Sequence, residues 1–222
     1  MFIGHYALGF GSKRLAPSVS LGALFLACQW ADLLWPTLVM AGLESFTIRP
    51  GITAVTPLDF QHYPYSHSLL ALLLWGTVLA LIYRAVRGSP LRGAVVLGAL
   101  VVSHWLLDVI VHRPDLPLAP GTRLRLGLGL WNSIPATLAV EFGLYAVGVC
   151  LYWKATVARD RTGSVAFWAL VTFLAVVQVA NVFGPPPPSV GAVTASAQAM
   201  WLLVAWGYWV DRHRKPADPL HS

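Results

Sequence analysis

Six stretches of this chain, 17–42, 66–84, 93–112, 134–153, 164–183 and 192–210, are apolar over about the ~20 residues that a helix needs to cross a bilayer. Composition agrees, with 57% hydrophobic and 11% charged residues, against about 25% charged in an average soluble domain. The sequence therefore predicts an all-α fold: a polytopic transmembrane helix bundle of about six spans, with residues 1–222 forming a single integral membrane domain. A short apolar element from Met1 to about Phe10, ended by Gly11, Lys13 and Arg14, is too short to span. It reads as a half-inserted or an interfacial helix.

The breaks between spans carry Pro and Gly. They are Pro50-Gly51 with Pro57; Gly88, Ser89 and Pro90; Pro114, Pro117, Pro120 and Gly121; and a stiff polyproline connector, Pro185 to Pro188. No internal repeat is visible, direct or inverted. Eleven of the 15 Lys and Arg fall on one set of connections and termini, and only Arg49, Arg113, Arg123 and Arg125 on the other. The positive-inside rule then puts both termini in the cytoplasm and loops 43–65, 113–133 and 184–191 outside, in a cell inner membrane. The net charge of +6 lies beside the spans, where topology and anionic headgroups account for it. No basic aromatic platform suggests nucleic acid; the expected partners are membrane lipids. Cys28 and Cys150 lie inside apolar spans and form no CxxC or disulfide framework. Phe25-Leu26-Ala27-Cys28 faintly resembles a lipoprotein cleavage box. The apolar run continues through Asp32 to about Leu43, too long for a signal-peptide core, so the segment reads as a retained span.

Only nine residues are Asp or Glu, and several interrupt membrane-grade stretches. A charge at bilayer depth costs ~2.5–3.5 kcal/mol even on the mildest insertion scale, so such residues face a partner, a metal or a water-filled cavity. At ~1.5 Å per residue, Asp32, His67, His104, Asp108 and Glu141 rise about 16–25 Å from the cytoplasmic ends of their spans, between the midplane and the outer face. Scattered structural polars have no reason to share a layer. His5, if its helix rises from Lys13, reaches about 12 Å and meets this layer from below.

Residues four apart share a helix face, so His104, Asp108 and His112 form a stripe. A His and a carboxylate on adjacent turns suit one metal, or the carboxylate orients the imidazole; a His–Asp pair that only ties helices is the alternative. His112, at the interface, favours the plainer reading. In His62-Tyr-Pro-Tyr-Ser-His67-Ser68, Pro64 keeps Tyr63 out of the helix and Ser66 is a candidate cap, placing His67 in the first turn. The alternative here is an interfacial Tyr/His belt. Two histidines and three carboxylates at one level suit a divalent metal, Zn, Mn or Fe, which supplies a nucleophile at neutral pH by lowering the pKa of a bound water. The stretch from Asp115 through Asn132 reads as an ordered outer loop over the site, with Asn132 as lining or cap. Gln178, Asn181 and Gln198 read as cavity lining or inter-helix bonds. His213 and His221 read as part of a solvated cytoplasmic tail.

His5 in Gly-His-Tyr-Ala-Leu-Gly, Asp32, the HYPYSHS string and Ser103-His104-Trp-Leu-Leu-Asp108 together resemble, in order, four motifs of the bacterial membrane-bound metal-dependent hydrolases. That family, of otherwise unknown function, is distantly similar to zinc-dependent phospholipase C; its motifs are THxxxG, a PDLD-like acidic turn, HRGxTHS and SHLLLD. The match covers roughly residues 1–120. Tyr63 and Pro64 stand where the family has Arg and Gly, and Leu34 where it has a second acidic residue. The resemblance implies that His5, Asp32, His62, His67, His104 and Asp108 hold metal. Depth adds Glu141, as general base or further ligand beside Asp108. The expected function is metal-dependent hydrolysis of a lipid or lipid-linked ester or phosphoester. Two rivals remain: a transporter using the same residues as a proton or metal relay, and a scaffold whose buried polars fix helix packing.

Overall fold

The computed structural model describes residues 1–88 and 91–217. Ser89 and Pro90 of the second break and His221 of the tail lie outside the described residues. In chain order the elements are α1 (Ile3–Gly11), α2 (Leu21–Cys28), α3 (Trp30–Met40), the strands β1 (Ser45–Ile48) and β2 (Leu58–His62), the one-turn helix α4 (Pro64–His67), α5 (Leu69–Arg87) and α6 (Leu91–Val111). They continue with β3 (Leu116–Pro117), β4 (Arg125–Leu126), a 3-10 turn (Leu130–Asn132), α7 (Ile134–Ala155), β5 (Thr156–Ala158), α8 (Arg161–Phe183), α9 (Val190–Gln198), α10 (Met200–Arg212) and β6 (Arg214–Pro216). The protein is a helical bundle with three two-stranded antiparallel ribbons, β1–β2, β3–β4 and β5–β6.

Helices α5, α6, α7, α8 and the α9–α10 pair are long and apolar enough to cross a membrane. Their starts follow local chemistry: Ser68, Ser133, Asp160 and Ser189 each accept the N–H three residues on, satisfying a donor with no helical partner. Leu74, Leu81 and Leu202 are 61%, 62% and 70% exposed, an outer surface that calls for an apolar solvent.

The first long stretch is not one straight span. It breaks at Gln29 into α2 and α3, bent by 56°. Gln29 leaves helical geometry at φ −106°, ψ 9°. As the last residue of α2, Cys28 has a carbonyl without an intrahelical partner, and a distant side chain takes it up, as described below.

α1 is an internal element, which excludes the interfacial alternative. Ile3, His5, Tyr6, Ala7 and Phe10 are buried. Tyr6 and Phe10 meet Phe25, Tyr145, Tyr152 and Phe167 edge to face. α1 lies along α7 and also touches α2, α6 and α8. Gly148 permits this, because a Cβ there would enter the backbone of Ala7. α5 and α6 approach similarly where Gly76 meets the Gly98 backbone. With no hydrophobic drive between helices in lipid, such small-residue contacts carry much of the packing.

The described part of the tail, through β6, is tied down rather than solvated. β6 pairs with β5, and Arg214, 5% exposed, stacks over Phe167 and Tyr152. Its guanidinium donates to the Thr156 hydroxyl and carbonyl and to the Gly163 carbonyl. His213 is half-buried against Asp160. Lys13 donates to Asp211 at 2.7 Å and to the Val19 carbonyl, and Tyr152 donates to Asp211. A local ribbon and a buried cation offset a tail composition that by itself reads as soluble.

Gly148→Leu should therefore push α1 off α7. Overpacking of this kind costs about 1–3 kcal/mol or more, and a lowered midpoint in thermal unfolding of the detergent-solubilised protein would register it.

Candidate metal centre

Four elements bring these ionisable residues together: α1 supplies the buried His5, α3 the half-buried Asp32, α4 the buried His67, and α6 the buried His104 and Asp108. His5, His104 and Asp108 form one group able to hold a metal ion, and Asp32, His67 and His104 a second, sharing His104. The His104 Nε2 lies 3.3 Å from Asp108 Oδ2 and 3.7 Å from Asp32 Oδ1. The His67 Nε2 lies 3.3 Å from Asp32 Oδ1 and 4.0 Å from Asp108 Oδ2. His5 stacks on His104 with ring centroids 3.6 Å apart, and its Nε2 meets Asp108 Oδ1 at 3.1 Å. That same oxygen accepts the Met1 amino group at 2.6 Å.

The outer nitrogens decide the tautomers. His104 Nδ1 sits 2.8 Å from the Cys28 carbonyl, which only accepts, so Nδ1 carries the proton and donates. This is the carbonyl released by the break in the first span. Neutral His104 then presents a bare Nε2 to two carboxylates, and that buried atom has no hydrogen-bond partner. His67 Nδ1 lies 2.7 Å from Ser66 Oγ, and the Ser66 hydroxyl donates to Glu44 Oε2 at 2.6 Å. The single hydroxyl proton is used on Glu44, so His67 Nδ1–H donates to Ser66, and in the neutral imidazole Nε2 keeps its lone pair. Two imidazole Nε2 atoms thus face two carboxylates. A cation held by either three-residue group satisfies the lone pairs of that group.

The separations fit such an ion. Two ligands each about 2.1 Å from one metal lie about 3–4 Å apart, as these do. In metal-binding histidines the other ring N–H characteristically goes to a carbonyl or carboxylate, directly for His104 and through Ser66 for His67. The buried His/Asp groups are therefore fit to hold a metal ion.

Several expected residues fall elsewhere or act differently. His62 is exposed at the end of β2, opposite Ser45 and edge-on to Tyr65. The chain turns inward only after it, at Tyr63 and Pro64, so His62 is not among the gathered side chains. Tyr63 is non-helical, as Pro64 requires. Ser68, not Ser66, caps α5, which places His67 at the end of α4. Glu141 lies at the start of α1, where its Oε2 accepts the N–H groups of Phe2 and Gly4. It stabilises the positive end of that helix and also lines the cavity next to the cluster. Asn132 neither caps α7, a role taken by Ser133, nor lines the cavity. Gln178 and Asn181 line the cavity, and Gln198 bonds Thr37 between α9 and α3.

The cavity has a volume of about 360 Å³. Asp32, His67, Asp108, His112 and Glu141 face it from one side. The outer elements cover it: the β1–β2 turn through Val55 to Leu58, Trp131, and Pro185 and Pro187 of the connector. The 113–133 loop is ordered, as expected, with Trp131 against His112 at 4.3 Å. His112 turns its Nδ1 to Asp115 at 2.9 Å and its Nε2 toward Asp108 Oδ2 at 3.8 Å. Asp115 also accepts from Tyr63 and Arg113, and Arg113 reaches Asp59. Glu44 and the carbonyl of Cys28 carry no motif and were out of reach of sequence reasoning. No family model, curated protein or solved structure matches the chain.

Burial alone would raise the Asp115 pKa, but hydrogen bonds from His112, Arg113 and Tyr63 outweigh it and hold the carboxyl below its ordinary value. A lowered folded pKa adds stability that is present above the unfolded value, ~3.9, and is lost as pH falls through the folded one. Asp115→Asn should lower the unfolding midpoint near neutral pH, and the gap to wild type should close below about pH 4.

Proposed function

We propose that this protein is a multi-pass inner-membrane hydrolase with a divalent-metal centre, acting on a lipid or lipid-linked ester or phosphoester. The observation that carries the reading is the pair of imidazole nitrogens, His67 Nε2 and His104 Nε2, each 3.3 Å from a carboxylate oxygen of Asp32 and Asp108 respectively. Asp32, His67 and His104 would hold an ion, and so would His5, His104 and Asp108, the two groups sharing His104. Two imidazoles with a carboxylate suit zinc, manganese or iron, with zinc favoured. Such an ion supplies Lewis acidity and a nucleophile at neutral pH. The chain's own groups would do the rest. Glu141, with Oε1 free of hydrogen bonds among the described residues, lies beside the cavity to accept a proton. Gln178 and Asn181 offer amides to a polar head, and Trp131 with the β1–β2 turn limits the access of water. The distribution of Lys and Arg supports cytoplasmic termini and a cavity opening outward.

Metal content measured by plasma mass spectrometry on detergent-purified protein tests this reading. Stoichiometric metal is expected in wild type, and loss of it in His104→Ala and in Asp108→Ala. Metal-free wild type of intact fold would end the metallohydrolase reading.

One observation favours a second reading. The first span is broken beside the cluster, and interrupted helices are a mark of transporter binding sites. Proton- or metal-driven flux into proteoliposomes that Asp32→Asn abolishes would replace the hydrolase by a transporter. The hydrolase reading expects no flux above protein-free vesicles.

A further inference from the structure

Glu44 is buried at 3% exposure, just before β1, and no cation pairs with it among the described residues. All its partners are donors from α4. Its Oε1 accepts the N–H groups of Tyr65 and Ser66 at 2.8 and 2.9 Å, and its Oε2 accepts the Ser66 hydroxyl at 2.6 Å. Ser66 in turn stands 2.7 Å from His67 Nδ1. Both Glu44 oxygens act as acceptors in these contacts, so the direction of the whole chain is set from its outer end. We infer that Glu44 and Ser66 are positioning residues that set the His67 tautomer and so keep its Nε2 free for the ion.

This inference rests on the reading of His67 as a metal ligand, and it makes a prediction that packing alone does not. In Glu44→Gln the amide oxygen can keep both backbone N–H groups. Its NH₂ must then face Ser66 and donate to Oγ. The Ser66 hydroxyl, no longer a donor to residue 44, turns to donate to His67 Nδ1. The imidazole proton moves to Nε2, where it points at Asp32 and blocks the ligand lone pair. Both backbone bonds are kept and both side-chain bonds survive with their directions reversed, in a side chain of the same shape. Ser66→Thr, by contrast, keeps the hydroxyl and the original direction.

The test is ring-¹⁵N NMR of histidine-labelled protein in detergent, without metal, with the His67 signals identified by their loss in His67→Gln. Zinc affinity is measured in parallel. Wild type and Ser66→Thr should show the Nδ1–H tautomer and Glu44→Gln the Nε2–H tautomer. Zinc binding should weaken about 10–100-fold in Glu44→Gln, the range for loss of a ligand-orienting partner, and stay near wild type in Ser66→Thr. An Nε2–H tautomer in wild type, or a Glu44→Gln variant that keeps Nδ1–H or binds zinc like wild type, overturns the inference. The wild-type and Ser66→Thr spectra decide it even if Glu44→Gln does not fold. Wild type that binds no zinc but shows the predicted tautomers would remove the metal centre and leave the relay standing.

Discussion

The carboxylate of Asp108, 1% exposed in the middle of the bundle, is the group around which the helices are arranged. An unpaired charge in such a place is strongly disfavoured. Asp108 answers with contacts from several parts of the chain: the Met1 amino group and His5 from its start, His67 from α4, His104 from its own helix, and His112 just past the end of that helix. Glu141 from α7 fixes the same start of α1 through the Phe2 and Gly4 N–H groups. The half-length helix α1 is therefore held at both ends, by this cluster at one and by the Lys13–Asp211 pair at the other. In lipid, where apolar contact between helices brings little gain over contact with acyl chains, a buried polar centre and close glycine contacts explain why one helix arrangement is preferred.

A second layer orients the first. Cys28 contributes a backbone carbonyl, Ser66 with Glu44 a relay, and Asp115 a carboxylate, and each takes the outer N–H of one histidine: His104, His67 and His112. The three inner nitrogens then converge on Asp108 Oδ2 at 3.3, 4.0 and 3.8 Å. Each orienting group exists because of a local departure from regular structure. The span breaks after Cys28, the chain turns inward before α4, and α6 ends just before Asp115. An unbroken helix would have used the Cys28 carbonyl internally.

Loops and cluster share one cavity: Trp131, the β1–β2 turn and the proline connector line it together with Asp32, Asp108 and Glu141. The Asp59–Arg113–Asp115 ion pairs bind the β1–β2 ribbon to the end of α6, coupling the covering elements to the helix that carries His104 and Asp108.

The sequence by itself determined the long apolar helices, the Pro and Gly breaks between them, and the ionisable residues Asp32, His67, His104, Asp108 and Glu141 that interrupt apolar runs. Hydropathy and helical rise are local properties, and a charge inside an apolar run announces itself without knowledge of its neighbours. The i, i+4 spacing likewise put His104 and Asp108 on one face. Only the tertiary structure decided which way His62 and Glu44 point. One lies at the exposed end of a strand and the other is buried beneath a single turn of helix, a difference set by the β1–β2 pairing and by the inward turn at Tyr63. It also decided the break at Gln29, the burial of Arg214 and the tautomers of the histidines. Those depend on partners such as Cys28 and His104, 76 residues apart, and a contact across that separation leaves no trace in the local pattern of the chain.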